Sequence, residues 1–328
     1  MYLAAKPIRA AIRRTLLARR QRVTARRAAL IAGPSRLRLL DVGGAGGPKS
    51  RWEPAQRHVE LIIVEPDTTA GTTALTAASQ YLAASLIPVA LGRRNEDRTL
   101  HLCKHPRQSS LLRPKADFFA RYHDGHKWNV VGEQQLATCE LDTLDLVEQV
   151  DFIKLDTQGS ELEILKGGRK ILQGTLGLEI EVEFREMYST QPLFGEVSRF
   201  LTDEGFDFID FVALARWQRS DPNGLRTYLG ELIHADALFL RSPEWVISHS
   251  DQTHLLHRAL LVYFLYGQYD MMRAVLKQGS NLLLMDRGRI EKLVESLHAT
   301  RVRQQRVARA VASLVRWSVP DVDLHLTV

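Results

Sequence analysis

Residues 39–47 read LLDVGGAGG and residues 62–67 read IIVEPD. The first stretch is a hydrophobic strand running into a glycine-rich turn; the second is a buried strand that ends in Glu65, Pro66 and Asp67. Glycine lets backbone approach a ligand closely in the crevice beyond a strand end. An acid about twenty residues further on can accept both hydroxyls of a ribose. The pair predicts a strand–turn–helix–strand unit that binds a nucleoside. Glycine spacing argues against the dinucleotide fingerprint, because the run closes on Gly46 and Gly47 and meets Pro48 instead of opening into a helix.

Outward from this unit, short apolar runs alternate with helical stretches. Strands are predicted over 37–42, 59–64, 86–91, 151–155, 176–184, 206–211 and 235–240, and helices over 72–82, 160–172 and 194–204. Such alternation implies an α/β fold, a Rossmann-like, doubly wound, mostly parallel sheet covered on both faces. No helix separates the last two strands, so they form a C-terminal hairpin, with a polar loop over 217–228 whose turn signal is Asp221, Pro222, Asn223 and Gly224. Residues 93–150 lack a long helical pattern and read as an insertion with strands at 98–103 and 135–141, a candidate substrate cover. The expected organisation is a basic helical leader over 1–34, a sheet domain over 35–242 and a helical appendage over 243–328. Helices are predicted within the appendage at 254–276 and 290–315, and the leader helix stops at Gly33 and Pro34.

Three groups of residues carry chemistry. Asp41, ahead of the glycines, would repel a pyrophosphate but can face an ammonium directly or through water. It therefore favours S-adenosylmethionine over a nicotinamide dinucleotide. In DFIKLDTQGSELE, residues 151–163, period-two alternation puts Lys154 and Asp156 on one face of a strand at its ligand-binding end. Ser160 and Glu163 read as a capping box for the following helix. In LEIEVEF, residues 178–184, Glu179, Glu181 and Glu183 share one strand face, which must open onto solvent, cations or a ligand pocket. Magnesium at Asp156 is a minor alternative, and no metal site is expected.

Charge is unevenly spread. The chain of 328 residues carries a net +6, yet residues 1–30 hold nine cations and no acid, and the rest holds three more acids than bases. A nucleic-acid enzyme would place its cations around a groove of the folded domain, so a nucleic-acid substrate is disfavoured. Ile8, Ile12, Leu16 and Leu17 recur at helical spacing among those cations, which predicts an amphipathic helix able to dock on an anionic membrane surface; a transit peptide is the alternative. Cys103 and Cys139 alone fit a reducing compartment, and no apolar run is long enough to span a membrane. A cytoplasmic protein, peripheral at a membrane, is expected.

The linked stretches LLDVGGAGGPKSRW, VEPD, DFIKLDTQGSELEILKGG, EVEF, MYSTQPLFGEV and DALFLR resemble, in order, the FkbM-type methyltransferase family. The resemblance covers residues 37 to about 241, with Ala45 standing where many members carry Asn. It implies that Asp41, Gly43 and Gly47 hold the aminoacyl half of S-adenosylmethionine, Glu65 its ribose and Leu91 its adenine. It also implies O-methylation of a hydroxyl on a small molecule, sugar, glycan or natural product. Asp156 is the first candidate for base or substrate anchor, Glu181 the second and Lys154 the orienting group, with His105, His123 and His126 as alternatives. Ser109 and Ser110 match a recurrent pair without an assigned role. A noncatalytic nucleoside-binding scaffold and a nicotinamide-dependent oxidoreductase are the competing classes.

Overall fold

The computed structural model describes residues 5–318, apart from 147–148, 221–229, 251–252 and 283. The chain divides into a sheet unit, Ser35–Ser242, and a helical unit made of Met1–Pro34 with Pro243–Val328. α1 (Ala5–Ala32) belongs to the helical unit. It ends where Gly33 takes a φ of 54°, a left-handed conformation that glycine adopts without penalty.

The sheet unit is built on β1 (Leu37–Val42), β2 (Val59–Val64), β3 (Ala83–Ile87), β7 (Phe152–Leu155), β8 (Gly177–Glu183), β9 (Asp207–Trp217) and β10 (Glu231–Leu240), in the spatial order β3-β2-β1-β7-β8-β10-β9. β1, β2, β3, β7 and β8 are parallel. β10 runs antiparallel to β8 and to β9, so the fold is the Rossmann-like sheet closed by a hairpin. The turn signal Asp221 to Gly224 lies outside the described residues. β4 (Ala90–Gly92), β5 (Glu96–Cys103) and β6 (Val130–Glu140) form a second sheet inside the insertion. The single strand expected over 86–91 is therefore two strands in two sheets. Pro88 lies between them and has no N–H for a ladder.

Helices cover both faces. α2 (Thr68–Ala77) starts four residues before the expected 72–82, because Asp67 caps it by accepting from the N–H groups of Thr69 (2.9 Å) and Ala70 (3.1 Å). It approaches β3 so closely that a Cβ on Gly71 would meet Leu86. α3 is the single turn Ala116–Phe119. The helix expected over 160–172 is two, α4 (Glu161–Lys166) and α5 (Arg169–Gly174). A Cβ on Gly167 would lie 2.6 Å from the Gly92 carbonyl and one on Gly168 would lie 2.5 Å from Leu141, so the break lets the insertion pack tightly. α4, α5 and α6 (Phe194–Asp203) bury Leu162, Leu165, Leu172, Val197 and Leu201 in one cluster with Leu40, Val42, Ile153, Leu155, Ile180 and Val182 of the sheet. An aliphatic side chain buried in this way contributes about 1.5–3 kcal/mol.

In the helical unit, α7 (Pro243–Ser248), α8 (Thr253–Leu265), α9 (Tyr269–Gln278) and α10 (Arg287–Ser318) follow the sheet, and α1 packs on α8 and α10. The helix expected over 254–276 is broken by Gly267 at φ 71°. Arg287 donates to the carbonyls of Leu276, Gly279 and Leu282, satisfying the end of α9. Buried His257 uses Nδ1 on the Ile31 carbonyl at 2.6 Å, tying α8 to the end of α1.

Candidate active site

At the carboxyl ends of β1, β2 and β7 the sheet unit holds a cavity of about 1000 Å³. The glycine turn forms its floor. Gly43 has a φ of 74° and donates to the Val64 carbonyl at 3.0 Å, and a Cβ there would collide with the carbonyl oxygen of Asp156. Only glycine meets both demands. Beyond it, a Cβ on Gly46 would meet nothing within 4 Å, so the backbone at this point is bare to a ligand. Gly47, at φ 73°, also lines the cavity.

Glu65 ends β2 on the cavity wall, with one carboxylate oxygen accepting from the Asp67 N–H at 2.9 Å. Burial raises its pKa, and the Asp67 N–H works against that shift. Leu91, in β4, lines the cavity beside Val89 and Ala90. The insertion supplies the opposite wall, including His105, Arg107 and Ser110; His123 and His126 are not among the lining residues.

Register brings the charged residues together. Asp41 pairs with Lys154, and Lys154 with Glu179, across three adjacent strands, so all three project from the same face. The Lys154 ammonium lies 3.2 Å from Asp41 and 3.4 Å from Asp156, and its side chain is almost entirely buried. Burial favours the neutral amine, but the two carboxylates outweigh it and hold Lys154 charged. Asp41 shifts upward because its burial outweighs Lys154. Asp156 shifts downward: Lys154 and then Lys49 overcome the effect of burial and keep it ionised. Lys154 and Asp156 line the cavity; Asp41 and Glu181 stand behind its surface.

The three glutamates of β8 are all buried, so of the three surroundings expected for that face, solvent, cations or a ligand pocket, the first does not apply. Glu179 meets Arg51 at 3.1 Å, and Asp236, opposite Glu181 on β10, meets Lys49 at 3.2 Å. Both cations follow directly on the glycine turn in PKSRW, so one short segment neutralises two strands. Glu181 accepts from His234 Nδ1 at 2.9 Å, and burial followed by the Asp156 charge raises its pKa to about 8. Glu183 shifts up by burial and by neighbouring Glu161 and Glu181.

Gln158 connects this buried acid to the cavity and was not singled out from sequence. Its side-chain N–H groups donate to Glu181 (2.7 Å) and Asp156 (3.2 Å), and its Oε1 accepts from the Tyr188 hydroxyl at 3.0 Å. Gln158 has a φ of 59°, rare for a side-chain-bearing residue, and is followed by Gly159 at 104°. Ser110 fixes this turn from the insertion by donating to the Gln158 carbonyl at 2.7 Å. The partner Ser109 accepts from the Cys103 N–H. Tyr188 in turn accepts from Trp128 Nε1 at 3.0 Å, within a cluster of Phe118, Phe119, Tyr122 and Trp217. The capping box expected of Ser160 and Glu163 does not form. Ser160 turns to the Thr157 hydroxyl and Glu163 to Lys166, while buried Glu161 accepts from the N–H groups of Thr157 and Gly159. Within DTQGSE the glutamine before glycine was the available signal; nothing local marks Tyr188 or His234, which arrive from distant strands.

Among the described residues no group of three or more His, Cys, Asp or Glu is arranged to hold a metal ion. No described helix is long and apolar enough to cross a membrane.

Residues 49–208 match the profile of the methyltransferase FkbM domain. That span includes Glu65, Leu91, Lys154, Asp156 and Glu181, and begins just after the glycine turn. No curated protein matches the chain. Among solved structures, the chain is similar to precorrin-6y C5,15-methyltransferase from Geobacter metallireducens, with 11% identity, 67% of this chain and 89% of that chain covered and a TM-score of 0.32. It is similar also to N-methyltransferase NodS from Bradyrhizobium japonicum in complex with S-adenosyl-l-homocysteine, with 9% identity, 68% and 86% covered and a TM-score of 0.33.

Proposed function

Starting from a chain whose residues 49–208 belong to the FkbM methyltransferase family, we propose that it transfers the methyl group of S-adenosylmethionine to a hydroxyl oxygen of a sugar, glycan or natural product. The observation that carries this reading is the ionised Asp156, held beside Lys154 on the wall of a cavity whose other walls are the bare glycine turn and Glu65. The residues fit the cofactor. Open space over Gly46, a ribose-accepting carboxylate at Glu65 and the apolar Leu91 suit its aminoacyl, ribose and adenine parts in turn. Bound there, the cofactor supplies a methyl group already activated by a cationic sulfur.

What remains for the protein is positioning and proton handling. Asp156 accepts a hydrogen bond from the incoming hydroxyl and aligns its lone pair; alignment of this kind lowers barriers by several kcal/mol. Its lowered pKa makes it a weak base, so proton transfer comes late, as positive charge develops on the oxygen. Lys154 orients Asp156, and Gln158 holds its other oxygen, so the carboxylate cannot rotate. Glu181 has a pKa nearer neutrality but lies behind the cavity surface, joined to it by Gln158, so it acts on the site's electrostatics and not on substrate.

The test is methyl-labelled cofactor incubated with fractionated glycan, lipid and small-molecule extracts, with products read by mass spectrometry. Asp156→Asn should keep cofactor affinity and lose most turnover, whereas Glu65→Ala should weaken cofactor binding about tenfold or more. Wild-type turnover in Asp156→Asn removes that residue from the mechanism, and label on nitrogen or carbon instead of oxygen refutes O-methylation.

A further inference from the structure

The two units carry opposite charge. The sheet unit has twenty-four Lys and Arg against thirty Asp and Glu; the helical unit has twenty against eight. Within the helical unit the imbalance is concentrated further. Residues 1–30 hold no acid, and neither does the stretch 296–320, which carries Arg301, Arg303, Arg306, Arg309 and Arg316. The packed ends of these helices lie elsewhere: α1 is buried at Ala28, Ile31 and Ala32, and α10 at Ile290, Val294 and Leu297.

The remaining lengths leave that core. Residues 17–23 of α1 are all exposed, so this part of the helix has no packed face. Arg19, Arg20 and Arg22 are exposed there and Arg26 just beyond, as are Arg301, Arg303, Arg306 and Arg309 on α10, and none of the eight has an acid partner among the described residues. The contrast lies within α10 itself, where Arg287 pairs with Glu291 and Glu295 with Arg273. Large apolar side chains are exposed among these arginines, Leu17 at 48%, Val23 at 40% and Val307 at 57%. On α10, Val302, Gln305 and Ala308 keep one half-buried stripe and leave the arginine-bearing sides to solvent, whereas residues 17–23 of α1 are solvated all round; helical surface of this kind gains little from its own fold and is explained by a partner.

We infer that the exposed lengths of α1 and α10 form a basic docking surface for an anionic lipid membrane. Arginines with no acid partner among the described residues match anionic headgroups, and Leu17, Val23 and Val307 supply apolar groups that can enter the headgroup boundary, the composition of an interfacial helix. Nucleic acid would share the charge match, but single-stranded binding surfaces add aromatic stacking platforms, and no aromatic side chain is exposed among the described residues of these two lengths. Each cation brought to an anionic surface raises the partition roughly fivefold, so a few acting together give reversible attachment that salt reverses.

The experiment uses the full chain and two kinds of vesicle, phosphatidylcholine alone and phosphatidylcholine with one third phosphatidylserine. The protein should sediment with the anionic vesicles at low salt, remain in solution with the neutral ones, and be released at high salt. Arg301→Gln, Arg303→Gln, Arg306→Gln and Arg309→Gln together should weaken sedimentation at least tenfold, with cofactor affinity and the thermal midpoint unchanged. Leu17→Glu and Val307→Glu should weaken it further at constant salt. Equal sedimentation with both vesicles, or none with the anionic ones at low salt, overturns the inference. So does a structured RNA that strips the protein from the vesicles at stoichiometric concentration, which would assign the surface to nucleic acid.

Discussion

The two faces of the central sheet solve the burial problem in opposite ways. On one, Leu40, Val42, Ile153, Leu155, Ile180 and Val182 meet the apolar sides of α4, α5 and α6. On the other, the alternate residues of the same strands begin with the apolar Leu39 and Phe152 and continue, toward the ligand-binding end and along β8, as Asp41, Lys154, Glu179, Glu181 and Glu183, equally buried. The apolar face gains from removing hydrocarbon from water and tolerates any close packing of about the right shape. The charged face loses hydration at every group and holds together only through specific partners: Lys154 for Asp41 and Asp156, Arg51 for Glu179, and His234 and Gln158 for Glu181. A shared strand set thus stabilises the fold with one side and presents chemistry with the other.

The sharpest way to break this comparison is Lys154→Met. Removing one member of a buried charge group leaves the others unpaired, and urea denaturation should show a loss of about 3–5 kcal/mol. A neutral or stabilising result would mean that the charged face behaves as a second apolar core. On the opposite face Ile180→Val should cost only about 0.5–1.5 kcal/mol, and cofactor affinity measured by calorimetry should not move. A change in affinity would show that the two faces are coupled through β8.

A third test reads a slope. Glu181 holds its proton more tightly in the folded chain, with a pKa near 8 against an ordinary 4.5. Stability from this group is therefore complete below about pH 4.5 and is lost as the pH rises toward 8. His234, also shifted upward once Glu181 outweighs its burial, acts in the same direction. The thermal midpoint should fall between pH 5 and 8, and Glu181→Gln should flatten that fall. Asp156, shifted downward, contributes in the opposite sense only at lower pH. An unchanged slope in the variant would place the titration elsewhere.

Much of the fold is legible in the sequence alone. β1 and β2 coincide with the predicted runs residue for residue, because each is a short, mostly apolar run, LRLLDV and VELIIV, closed soon after by Gly43 or Pro66. Side chains along a strand follow a period of two, so spacing alone puts Lys154 and Asp156 on one face, where they meet at 3.4 Å. Helix boundaries were less secure. The stop at Gly33 was readable, whereas the breaks at Gly167, Gly168 and Gly267 depend on what each glycine packs against or on a turn that periodicity does not encode.

By itself the sequence determined the alternating α/β order, the glycine turn with Asp41 and Glu65 at the strand ends, and the separation of a basic leader from an acidic body. These are local properties, set by the period of side chains and by which residues tolerate a tight turn. Tertiary structure alone decided that β8's glutamates are buried, that Lys49 and Arg51 reach back to Asp236 and Glu179, and that Gln158 joins Asp156 to Glu181. It also gathered α1 with α7 to α10 into one unit, although more than two hundred residues of sheet intervene. The physical reason is common to all of these: a charge's partner is chosen by proximity in the folded chain, and the pairs that settle this site lie far apart along the sequence.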